Sequence, residues 1–176
     1  MRLEDFYNDH CTVGSFLQCV VGVAESLDDM HLRGFVHNDI KADNITVSGP
    51  PSCPSVHIID FGLASRIGEG FYFDMLGLSR DLEDQKYVFF RSPELKMGQP
   101  LYPSSDVFSV GALLVSVCQE MQNPGLAQCL TPLMVSCMQQ VPSFRPSLAT
   151  VAARVKELMA IMTEDMLVAP LDCRAG

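Results

Sequence analysis

Gly34-Phe35-Val36-His37-Asn38-Asp39-Ile40-Lys41-Ala42-Asp43-Asn44 is the stretch that decides how this 176-residue chain folds. Asp39 is followed two positions on by Lys41 and then by Asn44, and sixteen residues beyond Asn44 the run Asp60-Phe61-Gly62 ends a short apolar stretch. A base, a cation and two oxygen donors for a divalent metal are the groups that phosphoryl transfer needs, because positioning and charge stabilisation carry that reaction. The flanks place these groups on one floor. Ile45-Thr46-Val47 and Val56-His57-Ile58-Ile59 are β-prone, and the Ser-, Gly- and Pro-rich run 48–55 between them reads as a connecting loop. Two antiparallel strands joined in this way bring Asn44, just before the first, beside Asp60, just after the second. Oxygen ligands of this kind suit Mg2+, which keeps waters and substrate phosphates in its remaining positions.

Working outward, Leu3-Glu4-Asp5-Phe6 reads as a short helical or capping element. Thr12 offers an N-cap to a helix whose apolar face is Phe16, Leu17, Val20, Val21, Ala24, Leu27 and Met30. Gly34 is placed to end that helix in a left-handed turn. Downstream, residues 63–91 show weak periodicity and read as a long surface segment, closing on Phe89-Phe90-Arg91-Ser92-Pro93-Glu94-Leu95. Ser104-Ser105-Asp106 then leads into Val107–Val115, a helix apolar nearly all round and so expected to be buried on all sides. Leu126, Leu130, Leu133, Met134, Cys137 and Met138 predict another amphipathic helix. After the Pro142–Pro146 break, Ser147 caps a last one with core face Leu148, Val151, Ala152, Val155, Leu158 and Met162. From Thr163 no pattern is visible, and residues 163–176 are expected to be a loose tail.

The bulk properties bound the function classes. The chain is 48% hydrophobic and 19% charged, which fits a folded globular domain. Its net charge of −9 argues against a nucleic-acid or anionic-membrane surface. The longest apolar run, 107–118, is shorter than the ~20 residues a bilayer requires. Seven cysteines, at 11, 19, 53, 118, 129, 137 and 173, form no Cys-x-x-Cys pair and mostly lie in apolar helical runs. They read as small hydrophobes rather than zinc ligands. Met1-Arg2-Leu3-Glu4-Asp5 is charged and lacks an apolar segment, so an intracellular, cytoplasmic protein with reduced thiols is expected.

Five motifs in order resemble the C-terminal lobe of the eukaryotic protein kinase superfamily. His37-Asn38-Asp39 stands for His-Arg-Asp, Asp60-Phe61-Gly62 is unchanged, and Ser92-Pro93-Glu94 stands for Ala-Pro-Glu. Asp106–Gly111 resembles the start of the family's buried central helix, and Arg145 is placed to pair with Glu94. The resemblance runs from about residue 3 to about residue 162. It implies a mainly α fold with a small β element: a helical bundle around the central helix, with short strands carrying the catalytic and metal loops. It also implies one partial kinase domain over 1–162, with the N-lobe absent.

Carried over residue by residue, the resemblance makes Asp39 the catalytic base and Lys41 the neutraliser of the γ-phosphate, a position favouring Ser/Thr substrates. Asn44 and Asp60 become Mg2+ ligands, and Thr46 faces the adenine of ATP. His37 and Phe61 would stack, anchored by Asp106, while Ile45, Val47, Leu113 and Val117 would form the base of a second apolar column. The departures are equally specific. No Gly-x-Gly-x-x-Gly loop occurs, and Lys41 is the first lysine in the chain, so the phosphate-pairing strand lysine has no counterpart here. Asn38 replaces the arginine that reads a phosphorylated segment. Tyr87 stands where Ser/Thr kinases usually have threonine, and only residues 119–125 separate the central helix from the next.

Two readings follow. One is a Ser/Thr-type kinase catalytic half that is inactive alone and needs an N-lobe, with a protein substrate or a partner kinase lobe as its partner. The other is a non-catalytic, truncated kinase-like binding or regulatory module. A small-molecule phosphotransferase ranks below both, since that class lacks a Ser-Pro-Glu element and a long segment before an Asp-capped helix.

Overall fold

The computed structural model describes residues 1–8, 11–70 and 88–171. His10, Tyr87 and Cys173, and most of the expected surface segment, lie outside the described residues. The chain is mostly helical with small antiparallel sheets. Helix α1 (Leu3–Asn8) leads to the long α2 (Val13–Leu32). Thr12 caps α2 in a capping box: its side chain accepts from the Ser15 N–H, and Ser15 Oγ accepts from the Thr12 N–H. The expected apolar face is buried from Phe16 to Leu27. Gly34, at φ +88°, then turns the chain, a conformation that L side chains rarely adopt.

Strand β1 (Phe35–Val36) follows, then a 3-10 turn (Ala42–Asn44), β2 (Ile45–Ser48) and β3 (Ser55–Ile58). β2 and β3 pair antiparallel with Ile45 opposite Ile58 and Ser48 opposite Ser55. β2 is also engaged on its other edge. The Val47 N–H donates to the Met1 carbonyl at 2.8 Å, and Arg2 bridges to Thr46. Strand β4 (Ser65–Arg66) pairs back onto β1, Val36 opposite Ser65.

The second half is helical. It comprises α3 (Pro93–Lys96), α4 (Pro103–Glu120), α5 (Pro124–Cys137), a 3-10 turn (Pro142–Phe144), α6 (Leu148–Ile161) and α7 (Glu164–Val168). Helix α4 is the axis of the core, with Val107, Val110, Leu113, Leu114 and Val117 all buried. Each such side chain contributes roughly 1.5–3 kcal/mol by leaving water. Gly111 lets α5 approach closely, since a Cβ there would lie 2.7 Å from Cys137 Cβ. Asn123 and Ser147 cap α5 and α6 with side-chain acceptors, and α6 packs along α2.

The expectation of a loose tail is corrected for residues 163–171. Thr163 caps α7 by accepting from the Met166 N–H. The Val13 N–H donates to the Ala169 carbonyl, and the Leu171 N–H to the Cys11 carbonyl at 2.8 Å. Asn123 Nδ2 donates to the Leu171 carbonyl, and the Leu171 side chain is fully buried. A five-residue helix is too short to display a period, and backbone bonds to Cys11 and Val13 leave no mark on side-chain pattern.

Two outcomes follow from this packing. Leu171→Ala is expected to lower stability by about 2–4 kcal/mol in urea unfolding, the range for a buried leucine truncated in place; a loose tail would show no effect. Burial pushes the thiols of Cys11, Cys118 and Cys137 up to about 11 and that of Cys19 to about 12, whereas Cys53 and Cys129 are exposed. Iodoacetamide on the native chain, read by peptide mass mapping, is expected to alkylate Cys53 and Cys129 well before those four.

Candidate active site

The loop from His37 to Asn44 is shaped by one buried carboxylate. Asp106 lies in the first turn of α4 with no solvent exposure. Its Oδ2 accepts from the His37 N–H at 2.8 Å, and its Oδ1 from the Asn38 N–H at 2.8 Å. His31 Nε2 also lies 2.8 Å from Oδ2, so that nitrogen carries a proton. Two consecutive N–H groups reach one carboxylate because Asn38 takes φ +68°, the left-handed region that asparagine tolerates best among side chains. His37 is fixed further: its Nδ1 accepts from the Asp39 N–H, which leaves Nε2 to donate to the Ile59 carbonyl. Its ring meets Phe61 edge-on, with centroids 5.2 Å apart.

Asp39, Lys41 and Asn44 come together at the end of this loop. Lys41 Nζ lies 2.9 Å from Asp39 Oδ2. Asn44 Nδ2 donates both to that oxygen at 2.7 Å and to the Asp39 carbonyl at 2.8 Å. With both amide hydrogens used, Asn44 has only Oδ1 left to offer a cation. A cleft of about 290 Å³ opens beside Lys41, lined among others by Glu4, Tyr7, Asp43, Phe89 and Glu120. Tyr7 donates to Glu120 there, and burial together with that acidic acceptor pushes the phenol well above its usual range.

Asp60 sits across from Asn44. The Ile59 N–H donates to the Asn44 carbonyl at 2.9 Å, extending the β2–β3 register to the residue before Asp60. Asp60 is exposed, takes φ +63°, and accepts the Gly62 N–H on Oδ1. An amide oxygen and one carboxylate at adjacent strand ends are of the oxygen type that Mg2+ takes, the ion retaining water and phosphate in its other positions. Thr46, half-buried on β2, donates to the His57 carbonyl, while Ile45 and Val47 point into the core with Leu113 and Val117.

A second buried charge secures the far side of α4. Arg145 holds Glu94 with two bonds, Nη1–Oε1 at 2.5 Å and Nη2–Oε2 at 2.9 Å. It also donates to the carbonyls of Ser104 and Gln139, and its guanidinium lies over the Phe108 ring at 5.1 Å. Burial alone would raise the Glu94 carboxyl; the bonds from Arg145, with Ser105 Oγ, outweigh it and hold that carboxyl below its usual range. His31 joins this site through Asp106, a partner distant in sequence, and its one mark in the sequence is its place in the last turn of α2.

The family model for the protein kinase domain matches residues 3–159, and the chain belongs to that family. It is similar to dual specificity testis-specific protein kinase 2 of Mus musculus, 25% identical over 167 residues that cover 82% of this chain and 28% of that protein. It is also similar to serine/threonine-protein kinase AfsK of Streptomyces coelicolor, 31% identical over 157 residues, 76% of this chain and 18% of that protein. The chain thus spans less than a third of the length of either relative. No helix among the described residues is long and apolar enough to cross a membrane.

The Glu94–Arg145 pair gives the molecule an acid-side limit. A carboxyl held below its ordinary value of 4.5 stabilises the fold fully above that pH, and the contribution fades as pH falls toward the lowered value. Urea midpoints for the wild type are expected to drop below about pH 4.5 more steeply than those of Glu94→Gln. Arg145→Met, which strands the Glu94 charge, is expected to cost about 3–5 kcal/mol at pH 7.

Proposed function

We propose that this chain is the catalytic-loop half of an ATP-dependent, Ser/Thr-type protein kinase. The observation that carries the reading is the orientation of Asn44: its Nδ2 is bound to Asp39, so its oxygen is left for a metal and the Asp39 carboxylate is held in place. Asp39 Oδ2 takes both donors, from Lys41 and Asn44. Oδ1 is the atom that would receive the proton of a substrate hydroxyl, since among the described residues it has no hydrogen bond. Lys41, already beside Asp39, would meet the γ-phosphate as it transfers, and Thr46 would lie under the nucleotide base. Asn44 Oδ1 and the Asp60 carboxylate would hold Mg2+, which supplies charge neutralisation on the phosphates when bound.

The groups that hold the phosphates from above are not among these residues. The 176 residues carry no Gly-x-Gly-x-x-Gly loop and no lysine before Lys41. Those groups would come from further sequence or from a partner lobe, and the substrate would be a protein. Loss of one preorganised donor typically costs on the order of 10²–10³ in rate, and several would be missing together. The second reading, a non-catalytic binding module, is favoured by one observation: Phe61 and Ile59 are exposed on the upper face, at 56% and 37%.

The 176-residue chain incubated with Mg-ATP and a protein substrate is expected to transfer no measurable phosphate. Fusion to a kinase N-lobe is expected to restore transfer, which Asp39→Asn would reduce by at least about 10²-fold. Transfer by the unfused chain that Asp39→Asn abolishes would overturn the need for a lobe. An inactive fusion that still binds proteins through its upper face would favour the binding module.

A further inference from the structure

The segment after Asp60 is fastened along the catalytic loop, and the fastening needs no ion pair between the two. Gly34 O accepts from the Ile67 N–H at 3.0 Å, β1 pairs with β4, and Asn38 Nδ2 donates to the Leu63 carbonyl at 2.9 Å and to Ser65 Oγ at 3.0 Å. Asn38 is only 1% exposed, and its Oδ1 is buried with no hydrogen-bond partner. Glycine would take φ +68° as readily and would bury no orphaned oxygen. An asparagine that accepts an unpaired buried oxygen is therefore there for its two Nδ2 bonds. Those bonds tie the residues just beyond Asp60 and Gly62 to the residue just before Asp39.

We infer that Asn38 is a positioning residue, a neutral amide tether that holds the segment just after Asp60 against the loop that carries Asp39. The inference deepens the phosphoryl-transfer reading by naming what holds its floor together, and the tether itself is measurable whether or not that reading holds. The amide has no charge, and both of its hydrogens are already bound. The tether is thereby built into the fold, and among the described residues its bonds to Leu63 and Ser65 include no ion pair for salt to screen.

Hydrogen exchange by mass spectrometry on the full chain tests this, comparing residues 62–68 with residues 107–118 of α4. Asn38→Gly is expected to speed exchange across 62–68 by about tenfold, the scale of one or two lost hydrogen bonds, with α4 unchanged. Asn38→Asp is expected to do the same at pH 7. Wild-type protection is expected to be equal at low salt and at about 0.5 M NaCl. Unchanged exchange at 62–68 in Asn38→Gly, an equal rise in α4, or wild-type protection lost in salt would each overturn the tether. Mn2+ titration with ADP on the chain fused to a kinase N-lobe, followed by electron paramagnetic resonance, supplies the link to the site. Asn38→Gly is expected to bind several-fold more weakly than wild type, and equal affinity would overturn the positioning role. If the fused wild type binds no Mn2+ with ADP, the phosphoryl-transfer reading fails while the exchange comparison on the unfused chain still decides the tether.

Discussion

A single buried carboxylate, Asp106, sets the shape of everything around it. A charge with no access to water is tolerated only when its oxygens are fully partnered, since the unpaired ion would cost several kcal/mol. Asp106 meets that demand with three contacts: His31 at the end of α2, and the His37 and Asn38 N–H groups of the 37–44 loop. Its place in the first turn of α4 adds the favourable end of the helix dipole. The loop therefore has one conformation available, in which two consecutive amides converge and Asn38 takes a left-handed backbone. Where Asp39 points follows from that constraint.

The next two residues toward the N-terminus extend the same logic to the other side. Ser105 donates to Glu94, and the Ser104 carbonyl accepts from Arg145, so the opening turn of α4 is gripped on one flank by the loop and on the other by a buried ion pair. The apolar body of α4 supplies the burial that makes both sets of bonds strong, and those bonds fix where the helix begins. Core and site are one cooperative unit here. A substitution that lets water reach the first turn of α4 weakens the loop, even from the far side of the helix.

The parts of this arrangement legible from sequence are those with a local rule behind them. Thr12 and Ser147 announce their helices because an N-cap needs a particular side chain, Gly34 because its backbone angle does, and β2–β3 because alternation and a Gly/Pro break bracket them. The ordered motifs pointed to Asp39, Lys41, Asn44 and Asp60, and the structure brings the first three within hydrogen-bond reach. What lay hidden depends on distant partners. His31 is one histidine among four until α4 arrives to meet it. The helix within residues 163–171 is too short to show a period, and backbone bonds to Cys11 and Val13 hold the segment. Arg2 and Met1 cover an edge of β2 through main-chain groups alone.

The floor of the site is thus preorganised by the chain's own bonds. Asn44 is turned by Asp39, His37 by Ile59 and Asp39, and the residues after Gly62 by Asn38; none of these contacts waits for a nucleotide. Two residues with side chains, Asn38 and Asp60, hold positive φ at either end of the arrangement, a conformation that persists only where surrounding bonds over-determine it. Preorganisation of this kind matters most when charge is about to move, because dipoles already in place need no reorganisation at that moment. Beside that floor the Phe61 side chain stands exposed, held on one edge by the His37 ring.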